Sequence, residues 1–286
     1  MKKSISQWSF ARNSLKDCMA LAKDAGFDAI EVAIAEDGEI TLNSTEADIR
    51  KVVDTARKVG IGISSLATGL FWSYPLTSDD EAVRNKARQV VSKSLQVAQW
   101  LGVDAILVVP GAVGVDFAPG LGVVPYDIAY DRSLEALKDL APQAEQRKVC
   151  IAVENVWNKF LLSPLEMRGF IDEIASDYVQ VYFDVGNVIA TGYPEHWIRI
   201  LGSRIKRVHF KDYRRNVGSL DGFVDLLEGN VDWAAVMGAF RAVGYDGYVT
   251  AEMLPPYGHH PDALIYSTSV AMDYILGSGT SYRCCP

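Results

Sequence analysis

The chain is poor in the residues that build several familiar kinds of site. Of 286 residues only four are cysteine and four histidine. Cys18 lies in a helical pattern and Cys150 in a strand pattern, so no disulfide framework is expected in a chain this long. The adjacent Cys284 and Cys285 could bind a soft metal, but without a second pair that signal is weak, and a frayed tail is the better expectation for them. No segment approaches the ~18 uninterrupted apolar residues of a membrane span, and the opening MKKSISQWSFARNS has no continuous apolar core of a signal peptide. A cytoplasmic protein with no membrane partner is therefore expected. Positive charge is also in deficit, 28 Lys and Arg against 36 Asp and Glu for a net charge of −8. Polyanion binding depends on neutralising phosphates with Lys and Arg, so no nucleic-acid partner is expected, although small anions remain open to local basic residues. Proline and glycine are scattered, and nothing in the composition suggests disorder.

What is present is 49% apolar content, enough to bury one large core. Short apolar or alternating runs recur at roughly thirty-residue intervals, each followed by an amphipathic stretch. The runs are 3–8, 28–33, 60–67, 104–111, 149–156, 179–186, 205–212 and 248–254, eight candidate strands. Between them lie helical patterns such as NSLKDCMALAKDAG, STEADIRKVVDTARKVG and VDWAAVMGAFRAVG, which close on a glycine suited to a helix C-cap. Strict alternation implies parallel strands joined by right-handed crossovers, and eight units of this size suit a single (β/α)8 barrel of the TIM type over 1–277 with a tail at 278–286. Two doubly wound domains are the competing layout, disfavoured because no linker-like shift in composition interrupts the series.

In such a barrel the strands should be apolar and function should sit at their C-terminal ends. The last four strands each carry a polar residue there: Glu154, Asp184, His209 and Glu252. Taken singly, each has a bland explanation in a helix cap, an ion pair or a local hydrogen bond. At equivalent ends of consecutive strands, three carboxylates would converge and repel one another, and a divalent cation resolves the conflict. The mixed oxygen and nitrogen set suits one Mn²⁺ or Mg²⁺, with Co²⁺ or Zn²⁺ tolerated. Glu31, at the end of the second strand, is a further inward carboxylate, facing substrate, supporting a ligand or hydrogen-bonded within the barrel.

The runs VENVWNKF, FDVGN, RVHFKD, LLEGNVDW and GYDGYVTAEM resemble the sugar phosphate isomerase/epimerase family. These are xylose isomerase-like barrels that include L-ribulose-5-phosphate and L-xylulose-5-phosphate 3-epimerases and proteins named hexulose-6-phosphate isomerases. The resemblance spans the barrel and is most specific between 150 and 254. It implies that Glu154, Asp184, His209 and Glu252 bind one divalent metal, that Glu154 and Glu252 double as acid and base, and that Arg215 contacts substrate. Asn187 stands where epimerases of free sugars often carry histidine, which tilts the expectation toward a phosphorylated substrate. Family members are commonly dimers or tetramers, so a homo-oligomer is expected.

Proton transfer beside a carbonyl needs a stabilised enolate oxygen and a base within reach, so Glu154 and Glu252 on two faces of a cis-enediolate would epimerise, whereas use of one face would isomerise. Phosphate would need cations, and Lys159, Lys211, Arg214 and Arg215 follow the polar strands, with Lys211 and Arg215 preferred; Glu228, in the EGN loop before the seventh helix, is a further candidate substrate contact. Trp8, Phe71, Trp72 and Trp157 could wall the pocket. The Gly-rich loop 111–127 reads as a mobile active-site element or an interface arm, and His259 and His260 as surface residues. Three other readings compete: a lyase resembling inosose dehydratase, a metal phosphodiesterase resembling endonuclease IV, which needs more histidines, and a non-catalytic sugar-binding barrel.

Overall fold

The computed structural model describes residues 1–11 and 14–277; the expected tail with Cys284 and Cys285 lies outside them. Eight parallel strands close into a barrel: β1 (Lys2–Ser6), β2 (Ala29–Ala33), β3 (Gly62–Ala67), β4 (Ala105–Val108), β5 (Cys150–Glu154), β6 (Val179–Asp184), β7 (Ile205–Phe210) and β10 (Tyr248–Ala251), with β1 pairing β10 to complete the ring. A two-stranded antiparallel ribbon, β8 (Asp212–Tyr213) and β9 (Phe223–Val224), lies between the last two barrel strands. Eight α-helices follow the strands: α1 (Leu15–Asp24), α2 (Glu46–Val59), α3 (Glu81–Leu101), α4 (Tyr126–Arg147), α5 (Pro164–Ile174), α6 (Pro194–Leu201), α7 (Trp233–Val243) and α8 (Pro261–Leu276).

Local chemistry sets the helix ends. Thr45 caps α2 by accepting from the Asp48 amide while the Asp48 carboxylate accepts from the Thr45 amide, satisfying two amides the helix leaves over. Gly60, Gly102 and Gly244 end α2, α3 and α7 in the left-handed conformation, as the glycine pattern predicts. The strands are shorter than their apolar runs. Trp8, for example, falls in a 3-10 turn over Gln7–Ser9 beyond β1, because the ladder stops where loops leave the barrel rim.

Apolar residues on the outer side of the strands and the inner side of the helices form one continuous core, with Ile30, Val181, Phe183, Phe210 and Phe240 fully buried. The barrel interior is less apolar than the sequence suggests. Ser4 Oγ lies 2.8 Å from Ser64 Oγ, Ser64 Oγ lies 3.4 Å from Ser65 Oγ, and Ser65 donates to Glu31 Oε2 at 2.8 Å. Tyr182, on the opposite side of the barrel, donates to the same oxygen at 2.6 Å. Burying Glu31 is tolerable because its oxygens are met by donors.

Asp212, the first residue of β8, is 1% exposed and organises the segment that follows. Its carboxylate accepts from the amides of Tyr213, Leu227 and Val231 and from Trp233 Nε1 at 2.9 to 3.1 Å. Gly229 passes so close that a Cβ there would land on that carboxylate and within 2.5 Å of the Tyr213 amide. Gly229→Ala is expected to cost at least ~1–3 kcal/mol of stability through overpacking, measured as a lowered midpoint in thermal or urea unfolding. An unchanged midpoint would show that the loop is freer than the packing implies.

Candidate active site

The four polar residues at the ends of the last four barrel strands converge. Asp184 and His209 are paired in register across β6 and β7, Glu154 closes β5, and Glu252 extends the ladder one residue past β10 through its amide to the Phe210 carbonyl at 3.1 Å. One ligand-type atom from each of Glu154, Asp184, His209 and Glu252 lies within 4.8 Å of the others. All four residues are buried, His209 and Asp184 at 0% exposure. His209 Nδ1 points into the group, 3.2 Å from Glu154 Oε1 and 3.2 Å from Glu252 Oε2.

The other face of the imidazole is fixed from inside the barrel. His209 Nε2 lies 2.9 Å from Glu31 Oε1, and the Tyr182 ring packs against the imidazole with centroids 4.4 Å apart. The serine and tyrosine hydroxyls thus hold Glu31, and Glu31 holds His209. Glu31 serves the imidazole and is not among the residues of the cavity wall.

Lys211 shares the floor of the site, its ammonium 2.5 Å from Glu252 Oε2 and 3.1 Å from Asp184 Oδ2. It is brought there by the FDVGN turn: a Cβ at Gly186 would meet Lys211 Cβ at 2.5 Å, so only glycine lets the two segments approach. Despite the ion pair, Asp184 Oδ2 and Glu252 Oε2 are buried without a geometrically sound hydrogen bond. Two carboxylate oxygens with spare lone pairs, a third carboxylate and an imidazole nitrogen on one point form a donor set that fits a hard divalent cation.

Electrostatics at the site are unevenly shared. Burial pushes the Glu154 carboxyl up to about 7 against the pull of His209 and Lys211, and burial also raises Asp184. For Glu252 burial acts in the same upward sense, but Lys211 and His209 outweigh it and hold the group below the usual carboxylate range. Burial opposes charge on His209, yet Tyr182, Glu31 and Glu252 raise it well above an ordinary imidazole.

Above the cluster opens a cavity of about 860 Å³ walled by Trp8, Trp72, Trp157, Asn187 and Lys211 together with Glu154 and Glu252. Asn187 works as a brace: its amide donates to Asp184 Oδ1 at 2.8 Å, and its side chain donates to the Asn155 carbonyl at 2.9 Å. Asn155 is a residue that sequence reading missed. It grips the Asp184 backbone at both its amide (2.8 Å) and its carbonyl (2.9 Å). Its only signal was its place directly after Glu154. Trp157 donates through Nε1 to the Asn187 carbonyl at 2.9 Å, and Phe71 is core. The 111–127 loop supplies Phe117, whose ring meets Trp72 edge-on at 5.0 Å over the cavity.

Four sequence candidates lie away from the cavity wall. The Arg215 guanidinium donates to the Ile189 carbonyl at 3.1 Å and lies over the Tyr193 ring at 5.0 Å. Arg214 pairs with Glu228 at 3.1 Å on the exposed outer side of the ribbon, which takes both from the cavity. Lys159 pairs with Asp116 at 2.6 Å. Each has found a partner on its own or a neighbouring loop, a choice that linear sequence does not encode. His259 and His260 are exposed, as expected of surface residues.

A closed (β/α)8 barrel with an acidic and imidazole cluster at its C-terminal mouth is the class of protein these features define. The xylose isomerase-like TIM barrel model matches residues 19–272, and the chain belongs to that family. Its relatives support an isomerase or epimerase. The chain is 30% identical over 249 residues to the Escherichia coli (strain K12) protein named "Putative L-ribulose-5-phosphate 3-epimerase SgbU", covering 82% of each. It is 26% identical over 252 residues to L-ribulose-5-phosphate 3-epimerase UlaE of Salmonella heidelberg (strain SL476), covering 86% of this chain and 84% of the other. Among solved structures, a D-psicose 3-epimerase in the presence of D-fructose shares the fold with a TM-score of 0.80 at 19% identity, over 97% of this chain and 100% of that one. An L-ribulose 3-epimerase does so at 0.79 and 20% identity, over 100% and 99%.

Proposed function

We propose that this protein is a divalent-metal-dependent epimerase or isomerase of a ketose or ketose phosphate, moving a proton on a carbon next to the carbonyl. The observation that carries the reading is the convergence of Glu154, Asp184, His209 and Glu252 within 4.8 Å at the floor of a cavity. These four residues would hold one ion, with Mn²⁺ or Mg²⁺ favoured and Co²⁺ or Zn²⁺ tolerated. Such an ion supplies Lewis-acid polarisation of the substrate carbonyl and a template for a neighbouring hydroxyl. A cytoplasmic homodimer or homotetramer belongs to the same proposal.

Glu154 ends β5 and Glu252 directly follows β10, on different sides of the ring, so they would meet two faces of a substrate bound between them. One takes the proton and the other returns one to the opposite face of the cis-enediolate, which inverts the carbon. Lys211, with its ammonium between Asp184 and Glu252, would stabilise negative charge developing on the substrate oxygen. Trp8 and Trp157 would shield the reacting carbons from water, and Asn187 keeps Asp184 aimed. The test is incubation of the metal-loaded protein with pentuloses, hexuloses and their phosphates in D₂O. Deuterium should enter beside the carbonyl, and none in any substrate would remove the reading.

The imidazole brace should tune metal affinity. Glu31→Gln and Tyr182→Phe are expected to weaken Mn²⁺ binding by ~10–100-fold, the usual consequence of losing the partner that orients a ligand. Titration calorimetry measures this, and unaltered affinity in both variants would show that His209 needs no brace.

Metal binding should also release protons. In the metal-free protein Glu154 titrates at about 7 against an ordinary 4.5, so between those values the folded state holds a proton that the unfolded chain has lost. Stability of the metal-free protein should accordingly fall as pH rises through that window. A bound ion must displace the Glu154 proton below pH 7, together with any proton on the cluster-facing Nδ1 of His209, so proton release per ion should grow as pH falls from 8 to 6. Calorimetry in two buffers of different ionisation enthalpy reads the number directly.

A further inference from the structure

The two ends of the cavity differ in chemistry. Its floor carries Glu154, Glu252, Asn187 and Lys211, and Lys211 is the only Lys or Arg among the described residues of its wall. That ammonium is committed to Asp184 and Glu252 at the reacting end. Among the described residues, three basic side chains that follow the polar strands are turned elsewhere: Arg215 onto a carbonyl and a tyrosine ring, Arg214 onto Glu228, and Lys159 onto Asp116. Among the described residues, the charged ones that do reach the outer wall are Asp221 and Asp225. Asp225 accepts a hydrogen bond from Tyr257, which ties it to the loop after β10. A terminal phosphate would therefore meet carboxylates where it needs cations.

The outer wall is otherwise apolar and large. Trp72, Phe117, Trp157, Phe223, Leu254 and Pro255 face the space, and Phe117 and Leu254 are each 45% exposed, so they offer contact area that the fold itself leaves uncovered. At the ~30 Å³ that one water occupies in the liquid, the heavy atoms of a six-carbon ketose need at most on the order of 360 Å³. The cavity offers about 860 Å³. Aromatic and proline surfaces of this kind pack against the C–H faces of a sugar ring or an apolar group.

We infer that the substrate is an uncharged ketose whose end distant from the carbonyl carries a further glycosyl or apolar group, and that it is not a ketose phosphate. The inference rests on the epimerase reading and narrows it. It also sets this chain apart from the relatives whose names specify a 5-phosphate.

The test compares matched sets on one ketose in D₂O with the Mn²⁺-loaded protein: the free sugar, its terminal phosphate and its terminal O-glucosyl derivative. For fructose these are fructose, fructose 6-phosphate and isomaltulose, and pentulose and other hexulose sets are run alongside. The expected order of kcat/KM for deuterium incorporation is O-glucosyl above free sugar above phosphate, with at least ~10-fold between first and last. Phe117→Ala, at a site too exposed to threaten folding, should shrink the O-glucosyl advantage several-fold. A phosphate that outperforms its free sugar overturns the inference and leaves the epimerase reading standing, as does an O-glucosyl derivative no better than the free sugar. No exchange in any set, with Mn²⁺ bound, removes both.

Discussion

Glutamine in place of Glu154 or Glu252 should lower proton exchange by ~10³-fold or more, since an amide cannot accept the proton and general acid–base catalysis alone is worth ~10²–10⁴. The two variants should part company in stability. Glu154 is held above its ordinary range by burial, so its charge at pH 8 is a burden on the metal-free fold. Glu154→Gln should raise the unfolding midpoint in the presence of a chelator, a gain in stability bought by loss of function. Glu252 is held below its ordinary range by Lys211, 2.5 Å away, and by His209. Glu252→Gln removes the nearest counter-charge of a largely buried ammonium and should lower the midpoint. A sugar-binding barrel without catalysis would keep ligand affinity in both variants and have no exchange to lose. Retention of wild-type exchange by either variant would strip that glutamate of its proposed role.

Asp212→Ala should be among the most destabilising single substitutions on this chain. Four N–H donors converge on that carboxylate, three amides and the Trp233 indole. Removing it strands buried donors that cost about 1–3 kcal/mol each, and because such losses are not additive the expected total is ~3–5 kcal/mol. At ~2–4 °C per kcal/mol for a chain of this size, the midpoint should drop by roughly 10 °C. Asp212→Asn keeps one acceptor oxygen and should recover part of the loss. A change of less than ~1 kcal/mol in the alanine variant would mean that the 212–233 segment reorganises around water.

The HFKD run shows how far adjacent residues can diverge in duty. His209 faces the cluster, Phe210 packs outward against Trp233 with ring centroids 4.7 Å apart, Lys211 returns to the floor of the site, and Asp212 clamps the following loop. The alternation of His209, Phe210 and Lys211 follows from the pleat of a strand, which turns successive side chains to opposite faces. Asp212 leaves the barrel and opens the β8–β9 ribbon, where its side chain clamps the segment that follows.

From sequence alone the barrel was legible, because repeated strand and helix periods with glycine stops leave few ways to bury the apolar faces. The four converging residues were legible for the same reason, since parallel strands of similar length end in one plane. The partners of Arg214, Arg215, Lys159 and Glu31 were decided by tertiary structure. Long charged side chains and loops reach whichever counter-charge or carbonyl the fold brings near, and such contacts join residues as distant in sequence as Glu31 and His209, for which no local periodicity exists.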